Sequence, residues 1–233
     1  MFGILNLDKP VGFSSAKAVD RVKKLIPRTV KIGHAGTLDP FATGVLLLLV
    51  GKATRLCESL MDSPKQYEAT VRFGETSDTD DPTGHLQPYA FEKIPTLDQI
   101  TAALPAFIGE VEQLPPTFSA LRIGGHRAYA LARAGKPVPV QPRKVKIYNI
   151  ELISYVWPDL AIRIDCGRGV YIRSIARDLG KQLDAGGHLH TLRRTKVGRF
   201  DVNDSQVLAN LTKENVEGYL QGLELLPPEG DRI

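Results

Sequence analysis

Residues 45–50 read Val-Leu-Leu-Leu-Leu-Val, six apolar residues with no polar alternate. A strand with one wet face alternates, so an unbroken apolar run of this length predicts a strand buried on both sides. The run is far too short to cross a bilayer, which takes about 20 residues of helix. It is the longest apolar run in the chain, and whatever precedes it must deliver the backbone into the middle of a core.

What precedes it is a glycine-rich loop, residues 33–44, reading Gly-His-Ala-Gly-Thr-Leu-Asp-Pro-Phe-Ala-Thr-Gly. Glycine allows a backbone to approach a ligand closely. Pro40 restricts Asp39 to extended conformations and stiffens the loop. A carboxylate held in this way can serve as a base or a nucleophile. An Asp before Pro is most often a turn or cap residue, and local chemistry leaves both readings open.

The remaining pattern mixes strands and helices. Residues 2–7 read as a strand and 14–26 as a helix capped by Ser14 or Ser15 and stopped by Pro27. Residues 53–60 read as a helix. Tyr67, Ala69, Val71 and Phe73 alternate with Glu68, Thr70 and Arg72, as along a half-buried strand. An acidic loop spans 76–84. Residues 97–107 suggest a helix that Pro105 shortens or kinks. Strands are expected at 143–155 and 160–166, a helix at 171–183 and a last strand at 191–202. Strands and helices do not alternate regularly, which favours an α+β fold over a doubly wound parallel sheet.

Charge and cysteine usage narrow the function classes. Thirty Lys+Arg against 26 Asp+Glu leave only +4, but residues 141–200 carry twelve cations and five acids. Such a stretch can neutralise phosphates or form a solvated basic face. Cys57 and Cys166 are too few for a disulfide framework or a zinc site and suit a reducing cytoplasm. The N-terminus has no basic region before an apolar stretch, so no signal peptide is expected. His188 and His190 lack a third ligand at metal-site spacing and read as a polar turn. There is no nucleotide-binding glycine fingerprint and no phosphate-loop lysine motif.

Six ordered segments resemble one known family. Residues 34–46, His-Ala-Gly-Thr-Leu-Asp-Pro-Phe-Ala-Thr-Gly-Val-Leu, are similar to the active-site motif of the TruB family of tRNA pseudouridine synthases, which act on uridine 55 of the T arm. Residues 7–15 resemble its N-terminal motif, 65–69 its Lys-x-Tyr strand, 76–84 its acidic loop, 115–122 its Pro-Pro-x-Tyr-Ser-Ala-x-Lys segment and 166–174 its Gly-Thr-Tyr-Ile-Arg element. Two residues depart from the pattern: Phe118 stands for tyrosine and Arg122 for lysine.

The resemblance implies a pseudouridine synthase fold: a mixed, largely antiparallel central sheet with flanking helices and an active cleft across it. It implies Asp39 as the catalytic aspartate and Tyr67 as the ring that stacks on the flipped uracil. Arg173 becomes the cationic partner of Asp39, Tyr171 and Leu192 line the pocket, and His34 contacts the RNA beside the extruded base. Asp80 is expected to be structural. Residues 1–205 would form the catalytic domain and 206–233 a C-terminal helix and tail. The chain stops at Ile233, so no C-terminal PUA domain is expected, and binding would rest on the catalytic domain and its basic half. The implied partner is the T-arm stem-loop of tRNA, met by a monomer without cofactor, metal, guide RNA or membrane. Two alternatives carry less of the pattern: a catalytically silent tRNA-binding or folding protein on the same scaffold, and a hydrolase using Asp39 and His34.

Overall fold

The structure is a computed structural model. It describes residues 1–119 and 139–222, and between them only the backbone pairing of two short strands. The strands are β1 (Gly3–Lys9), β2 (Ile32–Ala35), β3 (Thr43–Val50), β4 (Lys65–Arg72), β5 (Glu75–Ser77), β6 (Leu86–Pro88), β7 (Gly109–Gln113), β8 (Arg122–Ile123), β9 (His126–Arg127), β10 (Arg143–Val156), β11 (Asp159–Cys166), β12 (His188–Val197), β13 (Phe200–Asp201) and β14 (Gln206–Val207). The α-helices are α1 (Ser15–Lys23), α2 (Cys57–Asp62), α3 (Leu97–Ala103) and α4 (Ile172–Gln182). The fold is α+β with mixed, largely antiparallel pairing. The backbone divides into two compact units, residues 1–63 with 193–233 and residues 64–192.

The first unit is organised around β3, which is buried along nearly its whole length, as its sequence demands. β1 pairs antiparallel along one edge, from Gly3 opposite Val50 to Lys9 opposite Gly44. The other edge is shared. β2 covers Leu47 to Val50, and Arg193 and Arg194 of β12 pair in parallel with Thr43 and Gly44. Ile4, Val45, Leu47, Leu49, Leu60, Val197 and Phe200 fill one core cluster. Ser14 caps α1 by accepting from the Lys17 amide, and Ala18 and Val22 are buried. The helix ends at Lys23, three residues before the expected stop, and Leu25 closes a turn onto Val22.

In the second unit β4, β11, β10 and β7 run antiparallel in that order. β4 alternates without a break, with Lys65, Tyr67, Ala69 and Val71 inward. α4 buries Ile172, Ile175, Ala176 and Leu179 at the i, i+3, i+4, i+7 spacing of a helical stripe. The expected helix at 97–107 is α3 with a capping box at Thr96, followed by a 3-10 turn from Leu104 that contains Pro105.

Several expectations are corrected. Residues 33–35 belong to β2, not to the glycine-rich loop. Residues 53–60 are a 3-10 turn (Gly51–Leu56) running into α2. His188 and His190 lie on β12, not in a polar turn: His188 is fully buried, and its Nε2 is 2.9 Å from Glu75 Oε1. β7 was not foreseen, because Gly-Glu-Val-Glu-Gln offers a single apolar residue. Through residue 222 the C-terminal segment holds β14 and 3-10 turns rather than an α-helix. The side chain of Arg122 and residues 223–233 lie outside the described residues. Among the described residues no helix is long and apolar enough to cross a membrane.

One backbone crossing sets a strict residue requirement. Gly44 has φ +101°, and a Cβ there would stand 2.2 Å from the carbonyl oxygen of Arg194 and 2.8 Å from its nitrogen. Neither atom can retreat without breaking the β3–β12 pairing. Gly44→Ala should therefore destabilise the protein by about 2–4 kcal/mol, beyond the ordinary range for one methyl group. The shift of the urea midpoint is the measurement that checks it.

Candidate active site

The Asp39 loop leaves β2 at Ala35 and returns at Thr43, the first residue of β3. Its conformation is fixed from three directions. Ser15, the first residue of α1, donates its Oγ–H to the Leu38 carbonyl (3.1 Å) and accepts from the Leu38 amide (2.9 Å). Both groups are buried, so each bond lost would leave a desolvated polar group, at about 1–3 kcal/mol. The Gly12 amide donates to the Pro40 carbonyl (2.8 Å), and the Ala42 amide to that of Asp39 (3.1 Å). Leu38 is buried beneath the loop, which leaves the neighbouring Asp39 half-exposed.

Two buried cations complete the support. Lys9, at the end of β1, is fully buried; its Nζ donates to the carbonyls of Phe13 (2.7 Å), Pro10 (3.0 Å) and Pro40 (3.5 Å). Burial pushes the Lys9 ammonium down to about 8; the charge of Asp39 opposes this, and that of Arg194 adds to it. Arg194 on β12 is 1% exposed. Its Nε donates to the Val45 carbonyl (2.7 Å), inside β3, and its NH2 to that of Gly36 (3.3 Å), at the start of the loop. Its neighbour Arg193 makes a two-pronged ion pair with Asp8 (2.8 and 3.2 Å) and also reaches Thr43. His34 sits half-buried on β2 opposite Leu48, and its carbonyl accepts from Cys57 Sγ.

The other four expected residues belong to the second unit. Tyr67 is on the buried face of β4 and 8% exposed; Leu192 on β12 is equally buried. Tyr171 precedes α4, and the side-chain amide of Gln113 clamps its backbone. Gln113 Oε1 accepts from the Tyr171 amide (2.7 Å), and Nε2 donates to its carbonyl (3.0 Å). The Arg143 guanidinium lies 4.8 Å above the Tyr171 ring centre.

Arg173, in the first turn of α4, is 4% exposed. It donates to the carbonyls of Thr79 (3.1 Å) and Phe118 (2.9 Å) and pairs with Asp81 (3.2 Å). Asp81 in turn accepts from the Thr79 hydroxyl and from the amide and hydroxyl of Thr83. Phe118 thus contributes through its backbone, which the replacement of tyrosine leaves intact. Asp80 makes contacts that brace the loop. It adopts φ +59°, its carbonyl accepts from the Leu189 amide, and its carboxylate meets Arg177 at 2.9 Å. Burial pushes the Asp80 carboxyl up, against the pull of Arg177. The acidic loop is therefore a carboxylate framework for two arginines of α4.

Sequence reasoning missed Lys9, Ser15, Arg194, Gln113 and Asp81. The first three lie inside segments whose residue types alone do not show burial. It also overstated the free charge of residues 141–200. Among the described residues, Arg163, Arg173, Arg177, Arg193 and Lys196 hold carboxylates, and Arg194 is internal.

Residues 23–172 match the family model of the TruB family pseudouridylate synthase N-terminal domain. Residues 173–227 match that of the tRNA pseudouridylate synthase B C-terminal domain. A tRNA pseudouridine synthase B of Mycobacterium tuberculosis is 41% identical over 215 residues, covering 91% of this chain and 72% of that protein. One of Dehalococcoides mccartyi is 43% identical over 229 residues, covering 98% and 76%. Among solved structures, a Cbf5–Nop10–Gar1 complex contains a chain 30% identical with a TM-score of 0.70. The match covers 94% of this chain and 58% of that one.

Lys9 carries a testable linkage. At pH values below 8 the folded and unfolded chains both hold its proton, and the cost of burying the charge is fully present. As pH rises from about 8 toward 10.5 the folded protein releases the proton while the unfolded chain keeps it, so this group's contribution becomes steadily more favourable. Urea unfolding of wild type and Lys9→Met at pH 8 and pH 10 should show wild type gaining about 1–3 kcal/mol on the variant over that interval.

Proposed function

The chain belongs to the TruB family of pseudouridylate synthases, and we propose that it isomerises uridine 55 in the T arm of tRNA to pseudouridine, with Asp39 as nucleophile. The observation that carries this reading is the Asp39 loop, a half-exposed carboxylate on a backbone fixed by Ser15, Lys9 and Arg194. The names of the relatives supply the substrate class.

The reaction breaks the N1–C1′ bond of uridine, turns the base and joins C5 to C1′. C5 loses a proton, N1 gains one, and no electrons are exchanged with an external group. The reading therefore asks for a nucleophile, a pocket for the loose base and a way to hold charge, and for no cofactor. A uridine within a folded loop has to be extruded before an enzyme reaches its glycosidic bond. Tyr67 is proposed to stack on the extruded base, an interaction worth about 1–3 kcal/mol. Leu192 and Tyr171 are proposed to line the base pocket and His34 to contact the RNA beside the vacated stack.

A nucleophilic carboxylate must be ionised. Arg173 is proposed as the cation that keeps Asp39 so. Arginine suits this task as a planar cation that pairs bidentately, and the acidic loop and Phe118 hold its side chain in place. Lys9 adds a positive charge from beneath the loop. A silent RNA-binding protein would have no use for a carboxylate loop built on buried cations, which favours the enzymatic reading.

Incubation of the purified chain with an unmodified tRNA transcript, without added cofactor, should give pseudouridine in the T loop by chemical mapping. Asp39→Asn should lower the single-turnover rate by at least about a thousandfold while tRNA affinity stays within about threefold. Pseudouridine formed by the Asn variant at the wild-type rate rejects Asp39 as nucleophile.

A further inference from the structure

Between Pro10 and Leu38 the chain carries six cations and a single acid, Asp20. The cations are Lys17, Arg21, Lys23, Lys24, Arg28 and Lys31, and all six are exposed. None is ion-paired with a described residue, in contrast to the internally paired cations of residues 141–200. Lys17 and Arg21 of α1 and its C-cap Lys24 stand at i, i+4 and i+7, on an exposed stripe separate from the buried Ser15, Ala18 and Val22. The stripe spans about 10 Å along the helix at 1.5 Å per residue.

Like charges at helical spacing cost stability, by a few tenths of a kcal/mol per pair. This stripe brings no ion pair with a described residue in return. It is also anchored at both ends: Ser15 is bonded to Leu38 in the Asp39 loop, and the Lys31 carbonyl accepts from the Gly51 amide beyond β3. The cations are therefore fixed relative to Asp39 within the same compact unit.

We infer that the exposed face of α1 and the turn after it, through Lys17, Arg21, Lys24 and Arg28, grip backbone phosphates of the substrate RNA and so hold the strand near the Asp39 loop. This inference rests on the tRNA reading of the site. Contacts of this kind supply sequence-independent affinity and register, leaving base discrimination to the pocket. They release counterions, so their signature is the salt dependence of binding.

The test compares wild type with K17E/R21E/K24E and with the charge-conserving K17R/R21K/K24R, using one unmodified tRNA transcript. Affinity is measured at several salt concentrations, together with the single-turnover rate of pseudouridine formation at saturating enzyme. Charge reversal should weaken binding at least tenfold at 100 mM salt. It should flatten the slope of log affinity against log salt by about 2–3, while the saturated rate stays within about twofold. The charge-conserving variant should behave as wild type. Binding within twofold of wild type and an unchanged slope for the reversed variant, with an unchanged melting temperature, overturn the inference. If charge reversal lowers the melting temperature, K17Q/R21Q/K24Q replaces it with the same expectations, its slope change being smaller. A wild-type chain that binds tRNA but forms no pseudouridine sinks the functional reading instead, and the two failures are thereby distinct.

Discussion

Arg194 enters the first unit from β12 and spans the base of the Asp39 loop, bonding to the carbonyls of Gly36 and Val45. Burying a guanidinium costs several kcal/mol even after relaxation, and backbone carbonyls return only part of it. Such a residue is a poor source of stability and a good source of geometry. With the arginine in position, the loop can leave β2 and enter β3 along one path only. Gly44 has to be glycine because the backbone of this same residue occupies the space of a side chain. Lys9 performs the matching task from β1, reaching Pro40 on the far side of Asp39. The Gly44 requirement and the path of the Asp39 loop are thus tied to where two cations are buried.

The second unit uses opposite signs for the same end. Asp80 and Asp81, in a tight turn with one left-handed residue, hold Arg177 and Arg173 on successive turns of α4. The exposed pair between Arg163 and Glu151 is of a kind worth less than about 1 kcal/mol. The pair of Arg173 with Asp81 is almost wholly desolvated, so removing either partner would strand a charge in the interior. Its value lies in holding one guanidinium, which also bonds the carbonyls of Thr79 and Phe118, in a single orientation.

Much of the scaffold was legible wherever packing dictates residue type. The unbroken apolar run became β3, the period-two pattern became β4, and Pro105 marked where α3 gives way to a tighter turn. The elements that escaped are those in which polar atoms do structural work. The start of β12 carries two histidines and lacks the apolar signal of a strand, so only its part from residue 191 was read as one, although His188 is fully buried against Glu75. β2 contains a glycine and a histidine that blur its ends. Family resemblance pointed to Asp39, yet the residues that build its loop were passed over, because lysine and arginine are expected at the surface.

The same blindness explains the charge count. A sequence total treats each cation as available, whereas availability depends on what lies across the strand or one helical turn away. Residues 141–200 are rich in Lys and Arg, but five of those cations meet carboxylates from other segments, Glu68, Asp81, Asp80, Asp8 and Asp201, and several serve as internal struts. Residues 10–38 contain fewer cations and only Asp20 among them, so their field reaches solvent undiminished apart from salt screening. The cations tied to carboxylates in this chain fix backbone and side-chain geometry, and the untied ones on α1 are those proposed to meet an external polyanion.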